Sequence, residues 1–267
     1  MAKQTGLIRY SGSMGGVRHF KIKGLEGDFA GLNGGPSAEQ IKNDEAFVRT
    51  RENMKEFGGC ASAAKSIRIG LAQLMRQMAD SRLAGRLTAM MKQIQLDDVT
   101  SPRGQRSILI SAAVGSSIEL NYNKNISLSG VFNAPYTLTN SPTRDSATFT
   151  IPIFNPANLI SAPAGATHFR LVNAINVVSD WTYDAVSGDY GATDPNLSTL
   201  SDIQYSGYLD LSAVTPLTAI TTTLPGSPTV TASVAVINNI GIEFYQQVGA
   251  NYYLFSSGNA LLGVQVF

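Results

Sequence analysis

From residue 101 to the end, β-branched and aromatic residues alternate with polar ones in short runs, and turn-forming clusters interrupt them every ten to fifteen positions. A period of two puts every second side chain on the same side of a strand, so runs of this kind predict β-structure. The candidate strands are 106–113, 118–122, 127–132, 147–154, 167–181, 205–211, 217–223, 229–236, 241–248, 251–255 and 261–267. No long helical pattern lies between them, which favours an antiparallel β-sandwich over a parallel α/β sheet. Alternation is clearest in 167–181, where Phe169, Leu171, Ile175, Val177 and Trp181 are expected to share a face. The other face is only half polar, with His168, Arg170, Asn176 and Asp180 beside Val172 and Val178.

Residues 37–97 contain no proline and read as helix. Ser37 with Gln40 three positions on fits a capping box, in which hydroxyl and amide satisfy two otherwise orphaned backbone N–H groups. Ile41, Phe47, Val48, Met54 and Phe57 form a loose apolar face, and Gly58 with Gly59 is expected to break the helix. A second helix follows through Ala61, Ala64, Ile67, Leu71, Leu74, Met75 and Met78, at the spacing of a buried stripe. Asp80 or Ser81 caps a third, which carries Leu83, Leu87, Met90, Met91 and Ile94. Short connections favour a helical hairpin or small bundle. Ahead of the helices, runs 7–10 and 17–23 around the Gly-rich stretch 11–16 predict a β-hairpin, and 31–36 reads as a linker. The expected class is therefore α+β: an N-terminal hairpin arm (1–35), a helical region (36–100) and an antiparallel β-sandwich (101–267).

Charge is unevenly spread. Residues 1–106 hold 17 Lys and Arg against 10 Asp and Glu, whereas 107–267 hold 3 against 9, so a chain of net charge +1 is basic at one end and acidic at the other. Such a split suits surfaces that attract each other within or between copies, or a basic arm on nucleic acid; solvated helix faces carry similar charge without any partner. The single cysteine, Cys60, excludes an internal disulfide framework. The N-terminal residues lack the apolar run of a secretory signal, and no window reaches the roughly 18 apolar residues of a membrane helix. A soluble, cytoplasmic protein without a membrane span is expected, with export by another route or a place in a virion left open.

Few residues suggest chemistry. Cys60 sits among small residues and reads as a packing residue, and His19 and His168 are the only histidines, too few for a structural zinc site. Gly12 to Gly16 matches neither a dinucleotide fingerprint nor a P-loop. Glu119 and Glu243, the glutamates of the β zone, read as sheet-surface residues rather than a glycosidase pair. The strongest candidate for a ligand is the stretch with Asp180, Trp181, Tyr183, Asp184, Asp189 and Tyr190, whose carboxylates and aromatics suit calcium or a sugar ring. Its spacing matches no EF-hand, and a polar loop with aromatics over its base has the same composition. No catalytic residue, cofactor or metal site is assigned.

Two stretches carry a resemblance. Residues 5–12 (TGLIRYSG) with Gly15, Gly16 and Val17 form the first, together with Asn43, Asp44, Ala46, Phe47, 49–53 (RTREN) and Glu56, Phe57, Gly58. The second comprises 167–171 (THFRL) and 241–246 (GIEFYQ). With these motifs the chain resembles an uncharacterised family of Bacteroidota proteins. The resemblance implies a bacterial source and an N-terminal arm joined to a β-rich end, and it carries over no catalytic residue.

The functional expectation is a non-enzymatic structural protein that assembles with copies of itself into a filament, tube or virion-like shell. Leu7, Ile8, Tyr10, Val17, Phe20 and Ile22 are the expected subunit contacts, being more apolar than a free tail requires. The alternatives are a carbohydrate- or ion-binding module using Trp181, Tyr183 and Tyr190, and a nucleic-acid-binding protein using Arg9, Arg18, Lys21 and Lys23, the less favoured of the two macromolecular partners.

Overall fold

The computed structural model describes residues 2–6, 10–32 and 34–267. The chain divides into two compact units, Met1–Arg51 and Glu52–Phe267. This differs from the three-part division expected above: the first helical residues go with the arm, while most of the helical region is one layer of the β-rich body.

In the first unit, strands β1 (Ala2–Gln4), β2 (Gly12–Met14), β3 (Val17–Phe20) and β4 (Asp28–Leu32) form an antiparallel sheet in the order β1-β4-β3-β2. The expected hairpin is thus part of a larger sheet, with its first strand inside the stretch read as a connection. The turn explains the shift. Gly15 and Gly16 both take positive φ, 56° and 80°, the geometry of the two-residue turns that match strand twist. They set Met14 opposite Val17. Leu7, Ile8 and Arg9 lie outside the described residues. Gly31 and Leu32, read as linker, complete β4 and pair with Arg18 and Val17. Helix α1 (Ala38–Asn43) starts at the expected capping box, with the Gln40 amide N–H on Ser37 Oγ at 3.1 Å and the Ser37 N–H on Gln40 Oε1 at 2.7 Å. Asp44 then caps a 3₁₀ turn, Glu45–Phe47.

Helix α2 (Val48–Gly70) runs unbroken through Gly58 and Gly59, contrary to the expected break. Glycine in a helix costs about 1 kcal/mol relative to alanine, a cost that packing can outweigh. Helix α3 (Ala72–Met78) continues after a kink at Leu71, where Ser201 Oγ donates to the last α2 carbonyl, that of Gly70, at 2.6 Å. Helix α4 (Leu83–Leu96) follows a four-residue turn in which Asp80 Oδ1 takes the Arg82 N–H at 2.8 Å. Because Gln95, near the end of α4, reaches Cys60 in the middle of α2, the chain doubles back. Cys60, Ala63, Ala64, Ile67, Leu71, Leu74, Met78, Leu87 and Met91 form the buried stripe.

Strand β5 (Ser117–Asn121), the single turn α5 (Leu128–Val131), β6 (Thr137–Asn140), β7 (Ser146–Ile151), the turn α6 (Pro156–Leu159), β8 (His168–Ser179), β9 (Trp181–Asp184) and β10 (Asp189–Ala192) come next. β11 (Ser201–Tyr205), β12 (Leu209–Asp210), β13 (Thr218–Thr223), β14 (Val234–Val248), β15 (Asn251–Leu254) and β16 (Ala260–Val266) complete the chain. One antiparallel sheet has the order β11-β8-β14-β16-β5, with β12 on β8 and β15 on β14; a second is β13-β7-β6, and β9-β10 is a hairpin. The fold is α+β with a β-rich C-terminal region, and the large sheet is covered on both faces. Val172, Ala174, Val178, Ala235 and Ile237 pack with the helices, whereas Phe169, Leu171, Ile240, Ile242 and Phe244 pack with Phe149, Ile151 and Ile220 of the small sheet. Trp181 falls on the helix side, not with Phe169 and Leu171, because β8 ends at Ser179 and the alternation is interrupted before β9 begins.

Strand β14 joins two of the expected strands across Asn238 and Asn239, where its register against β16 shifts. Such Asn pairs read as turns, yet both are buried. Asn239 is held by polar contacts: its Nδ2 donates to Asn176 Oδ1 at 2.9 Å, and its Oδ1 accepts from the Tyr122 hydroxyl at 2.8 Å. Asn173 stitches the two sheets together, donating from Nδ2 to the carbonyls of Ala147 and Ile220, both at 2.9 Å. The segment 127–132, expected as a strand, contains the helical turn α5, capped by Ser127. Among the described residues no helix is long and apolar enough to cross a membrane.

Candidate functional site

The N-terminal sheet presents two unlike faces. On one, β-register places His19 beside Ala30, and Gln4 Nε2 lies 3.0 Å from His19 Nδ1. Tyr10 lies against this face: its ring meets that of His19 at 4.6 Å edge-on, and its backbone N–H donates to Gln4 Oε1 at 3.4 Å. The opposite face carries Phe20 paired with Phe29, with centroids 6.4 Å apart, and the Arg18 guanidinium 5.0 Å from the Phe20 ring. Val17, Phe20 and Ile22 are half-buried and Tyr10 is exposed; Leu7 and Ile8, the remaining expected contacts, lie outside the described residues. Among the described residues of this unit no apolar side chain is buried; the protein's core begins at Cys60.

The expected ligand loop is the hairpin β9–β10, and its side chains are spent on internal contacts. Asp180 is buried and accepts from the Ser111 N–H at 2.8 Å and the Ser111 hydroxyl at 2.6 Å. Trp181 is half-buried, its backbone bridged to Ile108. Asp184 caps its own turn through the Val186 N–H at 2.9 Å. Tyr183 accepts from Lys55 Nζ at 3.1 Å, and Tyr190 donates to the Arg106 carbonyl at 2.9 Å. Asp184 and Asp189 are exposed, and the other four are buried or half-buried. The carboxylates therefore do not converge, and among the described residues no group of three His, Cys, Asp or Glu side chains could hold a metal ion.

Tyr190 reaches a buried polar network. Its hydroxyl accepts from Gln95 Nε2 at 3.2 Å, and Gln95 Oε1 accepts from Lys92 Nζ at 2.8 Å. Lys92 pairs with Glu56, which is 1% exposed and also accepts from the Gly104 N–H at 2.7 Å. Burial raises the Glu56 pKa, but Lys92 and the Gly104 amide outweigh it and hold the carboxyl below its usual range. Cys60 lies beside this network, and burial pushes its thiol up to about 11, which favours the protonated form at neutral pH.

The paired motifs 167–171 and 241–246 meet in register on β8 and β14, Arg170 opposite Glu243 and His168 opposite Tyr245. Glu243 is not the sheet-surface residue expected from sequence: it is 2% exposed, because β14 is a central strand. Its Oε2 accepts from the Tyr245 hydroxyl at 2.6 Å, and burial raises its pKa above the ordinary value. The Arg170 guanidinium lies 4.1 Å from the Tyr205 ring and 5.1 Å from that of Tyr208, while Tyr208 stacks on Tyr252 at 3.8 Å. This cluster joins β8, β14, β15 and the end of β11. Its rings mainly face one another, an arrangement that locks the end of the sheet.

No family model, no curated protein and no solved structure matches the chain.

Proposed function

We propose that this protein is a non-catalytic structural subunit that associates with copies of itself through its N-terminal unit. The observation that carries the reading is a complete four-stranded sheet with no buried apolar side chain among its described residues. Strands of three to five residues gain little stability without a covered face, and Phe20 and Phe29 are half-buried on one. Among the described residues no further strand pairs with the outer strands β1 and β2, and unpaired sheet edges are the features used in strand addition.

Charge supports a second copy as the occupant. The first unit holds 8 Lys and Arg against 5 Asp and Glu, while 107–267 is acidic, so the arm of one copy and the β-rich end of the next attract each other. Contacts between unlike surfaces extend into rings or fibres, including tube- and shell-like forms. A cytoplasmic site of assembly belongs to the same reading. The test is negative-stain microscopy of the full chain beside Phe20→Glu. Ordered assemblies of the wild type that disperse in the variant support the proposal; equal assembly by both removes the Phe20 face from it.

A further inference from the structure

A cavity of about 500 Å³, lined by Asp80, Ser81, Arg82, Arg86, Lys124 and Asn125, opens where the turn into α4 meets the loop after β5. Asp80 builds it. One oxygen accepts from the Arg82 N–H at 2.8 Å, and the other from the Lys124 N–H at 2.8 Å and from Arg86 Nη2 at 2.9 Å. A single carboxylate thus fixes two loops and a guanidinium around one opening. Tyr122 closes the frame, its carbonyl accepting from the Asp80 N–H at 3.2 Å and from Arg86 Nη2 at 3.0 Å.

The charges do not balance. Hydrogen bonds from the backbone, that of Lys124 foremost, keep Asp80 ionised, and Arg86 neutralises it. Arg82 and Lys124 remain, and neither side chain makes an ion pair or hydrogen bond among the described residues. Lys124 is one of only three cations beyond residue 106. The other two are engaged: Arg144 donates to the carbonyls of Val234 and Phe267, and Arg170 stacks on tyrosines.

We propose that this cavity binds a phosphate group, free or as a monoester. Two uncompensated cations match a dianion, whereas a carboxylate or a phosphodiester brings one charge per group and leaves a cation unmatched. Ser81 supplies a neutral hydroxyl for the remaining oxygens. The inference is independent of self-association.

The test is calorimetric titration of the full chain with inorganic phosphate, with AMP, with adenosine, and with a single-stranded oligonucleotide lacking terminal phosphates, all at matched ionic strength. Phosphate and AMP are expected to bind and adenosine not to. Binding should weaken below about pH 6, where the second phosphate oxygen takes up its proton. Arg82→Ala with Lys124→Ala should weaken phosphate at least about tenfold with unchanged Tm, because the fold uses neither side chain. Absence of phosphate and AMP binding up to about 10 mM, or equal binding by the double variant, overturns the proposal. Binding of the oligonucleotide alone overturns it too, and assigns the patch to nucleic acid.

Discussion

The ring of Tyr190 rests against the bare backbone of Gly59: a Cβ placed there would come within 2.5 Å of ring carbon Cγ. Glycine in mid-helix is therefore what lets the β9–β10 hairpin seat on α2, and the hairpin in turn covers the Glu56–Lys92–Gln95 network.

Gly59→Ala is expected to destabilise the protein by about 1–3 kcal/mol, the usual effect of overpacking a filled site. Gly58→Ala, one residue away and exposed with nothing within 4 Å of its Cβ, should instead stabilise by about 0.5–1 kcal/mol. Urea unfolding of the two variants checks the opposite signs.

This pair also explains why the sequence misled there. Two adjacent glycines signal a helix end, and only the distant Tyr190 reverses that reading. The Asn238–Asn239 pair misled in the same way: the partners of Asn239, Asn176 and Tyr122, are 63 and 117 residues away along the chain. What local chemistry decides was legible, including the Ser37–Gln40 capping box, the stripe from Ala64 to Met78, and the mixed α+β class. The ligand reading of Asp180 to Tyr190 followed composition, which does not distinguish carboxylates that converge on an ion from those that cap turns and tie down loops. Arg170 and Glu243 were obscured because charged residues on a strand usually mark a solvent face. Only the central position of β14 buries that rung.

Glu243 should make stability depend on pH at the alkaline side of its titration. Burial raises its folded pKa above the ordinary 4.5. The unfolded chain therefore releases this proton first, so the contribution is fully present below about 4.5 and is lost as pH rises through the folded value. Glu243→Gln keeps an acceptor for Tyr245 and should flatten this part of the profile. Urea midpoints of both proteins from pH 4 upward measure the difference.

Asp98 should act with the opposite sign. Burial raises its pKa, but hydrogen bonds from the Ser107 N–H at 2.8 Å, the Thr100 hydroxyl at 2.7 Å and the Ser101 N–H at 3.0 Å hold it well below 3.8. Its contribution is present above pH 3.8 and is lost as pH falls through the folded value. Asp98→Asn, which sets an amide against these donors, is expected to cost about 1–3 kcal/mol at neutral pH. Acid unfolding should show a shallower pH dependence in the variant.

Cys60, buried and with its thiol raised to about 11, should resist alkylation in the native protein at pH 8 and react fully once the chain is unfolded. Mass spectrometry of iodoacetamide-treated samples reads both states. Rapid native labelling would contradict the buried position.

The account stands most directly on the solution mass of the full chain, compared by sedimentation equilibrium with a chain lacking residues 1–33, which removes all four strands of the N-terminal sheet. The prediction is a full-length species larger than the 28.4 kDa monomer and growing with concentration, and a truncated monomer that keeps a β-rich circular dichroism spectrum. A full chain that stays monomeric at high concentration, or a truncated one that assembles as before, would contradict it.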